Sequence, residues 1–191
     1  MPSCDVVVIA GDVLPLGAER GFKAQAWMQT DFQPWLEELD CDHIVAIGGN
    51  HDFEFEADPA SAKRLPWNYL CDSGCEIDGV KFWGSPRTPH LARWAFYGSP
   101  EVMKMAGEAV PEDTDVTIFH SPPDGYGNAG HPEWTDPATL DMIKRVRPKL
   151  HCSGHIHEGR GLFQFGPTQI VNCTIKDEYY DPVYEPMILD L

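Results

Sequence analysis

The chain has 191 residues, of which 42% are hydrophobic, so it is long enough to bury a sizeable core without disulfides or a structural metal. Thirty Asp and Glu residues against 14 Lys and Arg give a formal net charge of -16, which repels nucleic-acid backbones and anionic membranes. We therefore expect no bulk nucleic-acid binding and no membrane docking. A small phosphorylated ligand stays compatible with this charge, because a metal ion can reverse the sign of the field inside a pocket.

The amino-terminal sequence gives the expected location. No apolar run approaches the ~20 residues that are needed to span a bilayer. Residues 1–10 also lack the basic start and the small-residue cleavage site of a signal peptide. A cytoplasmic location is expected.

The six cysteines are mostly dispersed along the chain. Cys4, Cys152 and Cys173 flank or lie in apolar runs, where a free cysteine behaves as a small hydrophobic residue. Cys71 and Cys75 have a turn-like spacing that allows a zinc half-site or a redox pair. No second Cys or His pair at structural-zinc spacing accompanies them.

Four short apolar runs end in turn residues, and each is predicted to be a buried strand that leads into a loop. They cover residues 5–12, 43–52, 115–125 and 149–159. Residues 21–40 are predicted to be helical, with Pro34 opening a second segment, and residues 137–148 form a helix that stops at Pro148. This alternation predicts a parallel or mixed sheet that is covered by helices.

A second set of strands has a different pattern. Residues 80–86, 161–174 and 186–191 form alternating or short apolar runs separated by Gly-Pro turns, which is typical of hairpins. Two sheets packed face to face and flanked by helices are the simplest architecture. No linker, repeat or low-complexity tract interrupts the chain, so a single domain over residues 1–191 is predicted.

Residue types that ligate metals follow each of the four predicted buried strands. In chain order they are Asp12, then Asn50, His51 and Asp52, then His120, then His155 and His157. Loops beyond the carboxyl ends of parallel strands converge on one crevice, so we expect these side chains to meet in space. Carboxylate, amide oxygen and imidazole together suit divalent ions such as Mn, Fe, Zn or Ni, and the absence of thiolates argues against a structural zinc site.

Each of these residues also has an ordinary structural explanation. Asp12 could start a turn or cap a helix, and Asn50 suits the left-handed conformation of a turn. His120 stands close to Pro122 and Pro123 and could simply end a strand. Their joint occurrence at four strand ends, together with two imidazoles on one side of an extended segment, favours a metal site.

The sequence resembles the calcineurin-like metallophosphoesterases. That family carries the blocks D-x-H, G-D, G-N-H-D or G-N-H-E, a lone H, and G-H-x-H in this order. The last four blocks are matched by Gly11-Asp12, Gly49-Asn50-His51-Asp52, His120 and Gly154-His155-Ile156-His157. A likeness to the small metallophosphoesterase-domain branch lies in Gly84-Ser85-Pro86-Arg87-Thr88-Pro89, Trp94-Ala95-Phe96 and Arg147-Pro148-Lys149-Leu150-His151.

The resemblance implies a four-layer α/β/β/α sandwich of two mixed sheets with a two-metal centre. Asp12 would bridge both ions, and His157 would bind the second of them. The shell of the first ion would be completed by Asn50, His120 and His155. Two cations together clamp the attacking and leaving oxygens of a phosphate ester and lower the pKa of the bridging water.

The resemblance also implies the roles of two further residues. His51 would sit near the scissile phosphate, where it protonates the leaving oxygen or stabilises the transition state. Asp52 would orient the imidazole of His51 from behind.

The first block of the family pattern has no counterpart before Gly11-Asp12, so the fold is expected to lack the family's first strand. Four ligands remain for one ion, but only Asp12 and His157 remain for the other, which predicts one firm site and one weak or empty site. His43, His131 and His151 are the other imidazoles available as substitutes.

The missing strand would also expose a sheet edge. Three expectations follow: the chain tolerates the exposed edge, self-association or a complementing chain covers it, or the start codon lies upstream.

Two residues are candidates for substrate binding. Arg87 follows a Trp-Gly-Ser-Pro turn and could bind the anionic part of the substrate, and His131 lies in the loop after His120. The predicted activity is divalent-metal-dependent hydrolysis of a small phosphodiester or nucleotide-type ester, with monoester against diester left open. The alternative is a catalytically impaired one-metal fold that binds a ligand or partner, or that needs complementation.

Overall fold

The computed structural model describes residues 3–191, and these residues form nine strands in two sheets. The smaller sheet contains β1 (Cys4–Ala10), β2 (Cys41–Ile47) and β3 (Asn68–Tyr69) in that order, all parallel. The larger sheet has the order β4-β5-β6-β7-β9-β8. Its strands are β4 (Ser73–Ile77), β5 (Val80–Ser85), β6 (Val116–Phe119), β7 (Leu150–Ser153), β8 (Gly161–Phe165) and β9 (Thr168–Asn172).

The larger sheet is mixed. β5, β6, β7 and β9 run parallel to one another, while the β4–β5 and β8–β9 pairs are antiparallel hairpins. The first hairpin turns at Asp78 and Gly79, which both have a positive φ (49° and 79°). Two consecutive left-handed residues match the twist of the flanking strands, and Asp-Gly adopts them readily.

Six α-helices flank the sheets: α1 (Gly21–Trp27), α2 (Gln33–Glu37), α3 (Phe53–Ala57), α4 (Pro59–Lys63), α5 (Pro100–Glu108) and α6 (Pro137–Val146), counted within residues 3–191. A π-helical turn, Met28–Phe32, joins α1 to α2. The side chains of Ser99 and Asp136 accept backbone hydrogen bonds at the starts of α5 and α6. In this part of the chain, no helix combines the length and apolarity that crossing a bilayer would require.

The secondary structure forms four layers in the order helix, sheet, sheet, helix, and a hydrophobic cluster lies between each adjacent pair. Between the sheets, Ala10 and Ile47 pack with Phe82, Ile118 and Val171. The outer face of the smaller sheet packs against α1–α4 through Ala24, Phe32, Leu36 and Phe55. The outer face of the larger sheet packs against α6 through Phe119, Ile143 and Ile170. The predicted α/β architecture of two stacked sheets with outer helices is confirmed.

The apolar run of β1 is continuous because both of its faces are covered. Val6 and Val8 pack against the core between the sheets, whereas Val7 and Ile9 pack against the helical layer. Strands of parallel sheets that are buried on both faces read as unbroken apolar runs. Within residues 3–191, β1 pairs with β2 alone and so forms an edge of its sheet.

Two details differ from the expectation. All three strands of the smaller sheet run parallel, because helices join β1 to β2 and β2 to β3 and return the chain to the same end. The predicted strand at residues 186–191 is wrong, since this segment belongs to neither sheet. Met187 and Leu189 pack against the core between the sheets and Ile188 is exposed, so the alternation reflects one-sided packing without a hydrogen-bonded ladder.

Candidate metal centre

The four strand ends singled out in the sequence meet at one end of the sandwich. Asp12, His120 and His155 each offer one ligand atom, and these atoms lie within 4.8 Å of one another. His120 Nε2 lies 2.9 Å from Asn50 Oδ1 and 3.3 Å from Asp12 Oδ2. The donors therefore come from the ends of β1, β2, β6 and β7, which belong to both sheets.

An unusual backbone conformation directs the side chains of two of these residues. Asp12 has a φ of 56° and His155 a φ of 67°, in the left-handed region that side chains other than glycine rarely adopt. Such strain persists only where surrounding contacts fix it, and it is concentrated at functional sites. The amide of His51 donates to Asp12 Oδ1 at 2.9 Å, which is one of those contacts.

Backbone carbonyls select the ring nitrogen that two histidines offer. His120 Nδ1 lies 2.7 Å from the carbonyl oxygen of Ala10, and His157 Nδ1 lies 2.6 Å from that of Asp177. Because a carbonyl only accepts hydrogen bonds, each Nδ1 carries a proton and each Nε2 is the nitrogen available as a ligand. This is the tautomer that metal-binding histidines commonly adopt.

The electrostatics of the cluster also suit a cation. Burial alone would raise the pKa of Asp12, but the adjacent His120, with His51 and His155 close by, holds that pKa well below its usual range. Burial and the neighbouring His120 lower the pKa of His155 to about 3, so its imidazole is neutral and keeps a free lone pair. The ionised carboxylate of Asp12, the amide oxygen of Asn50 and the neutral imidazole of His155 form a donor set that fits a divalent metal ion.

The residue that faces His51 is not the one expected. His51 is 6% exposed, and its Nδ1 lies 3.5 Å from Glu19 Oε1. Both oxygens of Asp52 are occupied by backbone amides instead: Oδ1 accepts from Leu14 at 2.8 Å and Oδ2 from Gly49 at 2.7 Å. The expectation that Asp52 orients the imidazole is corrected, because its carboxylate points into the two loops that carry the ligands.

Asp52 is nevertheless tied to the site. Burial, with the charge of Asp12, raises the pKa of Asp52 to about 7. Its two amide contacts join the segment after Asp12 to the loop that carries Asn50 and His51. Glu19 lies in no motif, and no signal in the sequence singles it out.

The calcineurin-like phosphoesterase family model matches residues 2–159, a range that includes every residue of the cluster. The chain belongs to the calcineurin-like phosphoesterase family. It is 31% identical to metallophosphoesterase domain-containing protein 1 of Homo sapiens and of Mus musculus over its whole length. It is also 31% identical to UPF0046 protein T07D4.2 of Caenorhabditis elegans.

The alignments span this chain completely but only part of each relative. The alignments cover 100% of this chain but only 66% of the human and mouse proteins and 55% of the Caenorhabditis elegans protein. One solved crystal structure superposes with a TM-score of 0.61 at 19% identity, covering 92% of this chain and 80% of that one. That likeness shows the fold. Family membership implies metal-dependent hydrolysis of phosphoesters.

The two candidates for substrate binding have other partners in this member of the family. Arg87 donates through Nε and Nη2 to Asp72 Oδ2 at 3.0 and 2.8 Å, so its guanidinium already pairs with a carboxylate. His131 stacks on Trp134 with ring centroids 4.3 Å apart, and its Nδ1 lies 3.3 Å from Glu133 Oε1. The contacts described for these two residues do not reach the metal cluster.

The remaining histidines and cysteines do not extend the cluster. His43 Nε2 lies 3.8 Å from Asp78 Oδ2, and His151 lies in β7, where its Nδ1 is 2.9 Å from Thr117 Oγ1. Cys71 and Cys75 carry free thiols. Among residues 3–191, Asp12, His120 and His155 are the one set of three His, Cys, Asp or Glu side chains placed to share an ion.

Gly49 is predicted to be indispensable because a side chain there would enter the cluster. A Cβ at Gly49 would lie 2.4 Å from Asp12 Oδ1 and 2.5 Å from His120 Cε1. Gly49→Ala is expected to weaken manganese binding by about tenfold or more, as expected when ligands are displaced. In Gly154→Ala the nearest atom to the new Cβ would be 3.6 Å away, so this motif glycine is the matched control. Equal affinity in the two variants, measured by calorimetry, would contradict the packing argument.

His151 predicts an acid-sensitive stability. Burial lowers the pKa of His151 from 6.5 to about 3, whereas in the unfolded chain it titrates near its ordinary value. Between these values the unfolded state binds the additional proton, so stability is complete above about pH 6.5 and falls as the pH decreases. This group contributes a loss of about 1.4 kcal/mol per pH unit at most.

Urea unfolding at about pH 7 and about pH 5 tests this prediction. The decrease in the free energy of unfolding is expected to be smaller in His151→Leu than in the unsubstituted protein. The variant at the half-buried His43, His43→Gln, is expected to keep the full decrease. An identical decrease in all three proteins would count against the role of His151.

Proposed function

We propose that this phosphoesterase hydrolyses a small phosphodiester or nucleotide-type ester in a reaction that depends on a divalent metal ion. The observation that carries the proposal is the convergence of Asp12, Asn50, His120 and His155 on one point, with the backbone amide of His51 bound to Asp12. When bound there, a divalent ion supplies positive charge that polarises the phosphoryl group and lowers the pKa of water.

His51 is the proposed proton donor to the leaving oxygen. Glu19 lies beside its Nδ1, which leaves Nε2 as the nitrogen that would donate the proton. Asp12 fixes the position of this loop by accepting the amide of His51, so the ligand and the acid are held in one unit. General acid catalysis of this kind requires a group within hydrogen-bond reach of the leaving oxygen.

We expect one firmly bound ion and one weaker one. The first position has a carboxylate, an amide and two imidazoles, whereas Asp12 and His157 are the ligands expected for the second, and His157 lies outside the group of Asp12, His120 and His155. Two protein ligands seldom hold a divalent ion tightly. Manganese is the ion with which we expect activity to be recovered most readily.

Turnover of a chromogenic phosphodiester tests the proposal. Bis(p-nitrophenyl) phosphate is expected to be hydrolysed by the purified chain with added manganese and not in the presence of EDTA. Parallel assays with p-nitrophenyl phosphate separate diester from monoester activity. No manganese-dependent turnover of either ester, at a protein concentration at which metal binding is saturated, would contradict the proposed activity.

A second candidate is a one-metal fold that binds a ligand without hydrolysing it. It is favoured by the two-ligand second position among residues 3–191. Firm binding of a phosphate ester without turnover would support it. We also propose that the outer edge of β1 is the place where a second copy or a complementing chain would bind. Light scattering tests this association. A cytoplasmic location remains a prediction.

A further inference from the structure

Two half-exposed aromatic side chains stand beside the histidines of the metal centre. The ring of Trp94 lies 4.6 Å from that of His51 at an interplanar angle of 62°. Tyr180 approaches from the carboxyl-terminal segment, 6.1 Å from His51 and 4.8 Å from His157, at 74° to both rings. Trp94 is 38% exposed and Tyr180 is 43% exposed, while His51 itself is buried. Each ring therefore contacts the site and keeps part of its surface in solvent.

Tyr180 is held in place by the turn around Asp177. The carbonyl oxygen of Asp177 accepts the amide of Tyr180 at 3.0 Å and also lies 2.6 Å from His157 Nδ1. Its Oδ1 accepts the amides of Tyr179 and Asp181 at 2.9 and 3.0 Å. Tyr180 has a φ of 69°, a left-handed conformation that a bulky residue keeps only when neighbouring contacts impose it. The carbonyl that orients His157 thus also positions the tyrosine.

Trp94 is coupled to the opposite side of the site in a similar way. Its ring stacks on Phe53 at 6.0 Å and 27°, and the guanidinium of Arg20 covers Phe53 at 3.7 Å. The next residue, Ala95, donates its amide to the carbonyl oxygen of Asn50 at 3.1 Å. The position of Trp94 is therefore fixed relative to a residue of the ligand cluster.

These contacts point to recognition of a ring. Metal binding and proton transfer need no aromatic surface, and large aromatic side chains are usually more buried than these two. Exposed rings that are held rigidly offer stacking area at a low entropic cost.

We propose that Trp94 and Tyr180 bind a planar aromatic group of the phosphate ester, so that ring-bearing esters are preferred over alkyl esters of the same charge. This inference rests on the proposed function, because it assigns the organic part of the same substrate. The shared chemistry is a flat π-face, which an aryl group or a nucleobase could supply.

Calorimetric binding to the manganese-loaded chain tests the proposal without requiring turnover. Phenyl phosphate is expected to bind about tenfold more tightly than ethyl phosphate, within the range that one stacked ring contributes. In the double variant Trp94→Leu, Tyr180→Leu, this ratio is expected to fall to near unity. A nucleoside 5′-monophosphate compared with ribose 5-phosphate distinguishes a nucleobase from a simple aryl group.

Matched variants separate recognition from folding. Trp134 is also 38% exposed but stacks on His131, so Trp134→Leu is expected to keep the full phenyl preference. Trp94→Phe and Tyr180→Phe retain a ring and are expected to keep most of it, even if the leucine variants prove unstable.

Three results would overturn the inference. These are a ratio near unity in the unsubstituted protein, a full ratio in the double leucine variant, or an equal loss for both phosphates in the phenylalanine variants. A protein that binds neither phosphate would contradict the proposed function as well, whereas equal binding of both contradicts the aromatic recognition alone.

Discussion

Replacing Asp12 by asparagine is expected to abolish firm manganese binding and to lower phosphodiester turnover by more than about a hundredfold. Asp12 is the carboxylate of the cluster and faces His120 Nε2, while its other oxygen accepts the amide of His51. Asparagine keeps the shape but removes the negative charge. Even residues that act behind a ligand cost about ten- to hundredfold on removal, so a ligand itself should cost more. Elemental analysis and the chromogenic assay measure the two effects.

The matched control is Asp5→Asn. Asp5 lies near the start of β1, the strand that leads to Asp12, and is exposed. The Asp5→Asn variant loses the same charge and is expected to bind metal and turn over substrate as the unsubstituted protein does. Retention of firm metal binding in Asp12→Asn would show that the ion is held elsewhere.

Replacing His51 by glutamine is expected to lower turnover by about 10²- to 10⁴-fold while metal content stays the same. The imidazole is the proposed proton donor, and its contacts are with Glu19 and Trp94, whereas the ligands are other side chains. The loss should be larger for an ester with a poor leaving group than for a p-nitrophenyl ester, because p-nitrophenolate departs without a proton. Comparing kcat for the two kinds of ester separates proton donation from general damage.

His43→Gln is the control for this variant. His43 lies in β2 and its side chain is 39% exposed near Asp78. It is expected to leave kcat unchanged for both esters. An equal loss for both esters in His51→Gln would contradict the role of a proton donor, and a loss of metal would place His51 among the ligands.

Much of the fold could be predicted because burial on both faces leaves unbroken apolar runs. The runs at residues 5–12, 43–52, 115–125 and 149–159 correspond to β1, β2, β6 and β7. The spacing of the apolar residues also predicts the helix over residues 137–148, which corresponds to α6. The prediction missed α5, although Ser99 and Pro100 form a typical helix start, because its apolar face is short.

The ligand cluster could be predicted from residue type and position, since the carboxyl ends of neighbouring parallel strands meet. The partners of those ligands could not. Asp52 faces two backbone amides and Glu19 faces His51 because of loop conformations that depend on long-range contacts, between Leu14 and Asp52 and between Glu19 and His51. Tyr180 approaches the site through a left-handed turn, and no local pattern in the acidic segment indicates this.

Metal stoichiometry tests whether the strand-end cluster holds a divalent metal ion. We predict that elemental analysis of the purified 191-residue chain, combined with a manganese titration, will show one firmly bound ion per chain and a second that binds only with excess metal. Asp12→Asn is expected to lose the firm ion. A chain that binds no ion stoichiometrically, or one that holds it equally well without Asp12, would contradict the assignment of this cluster as the metal centre.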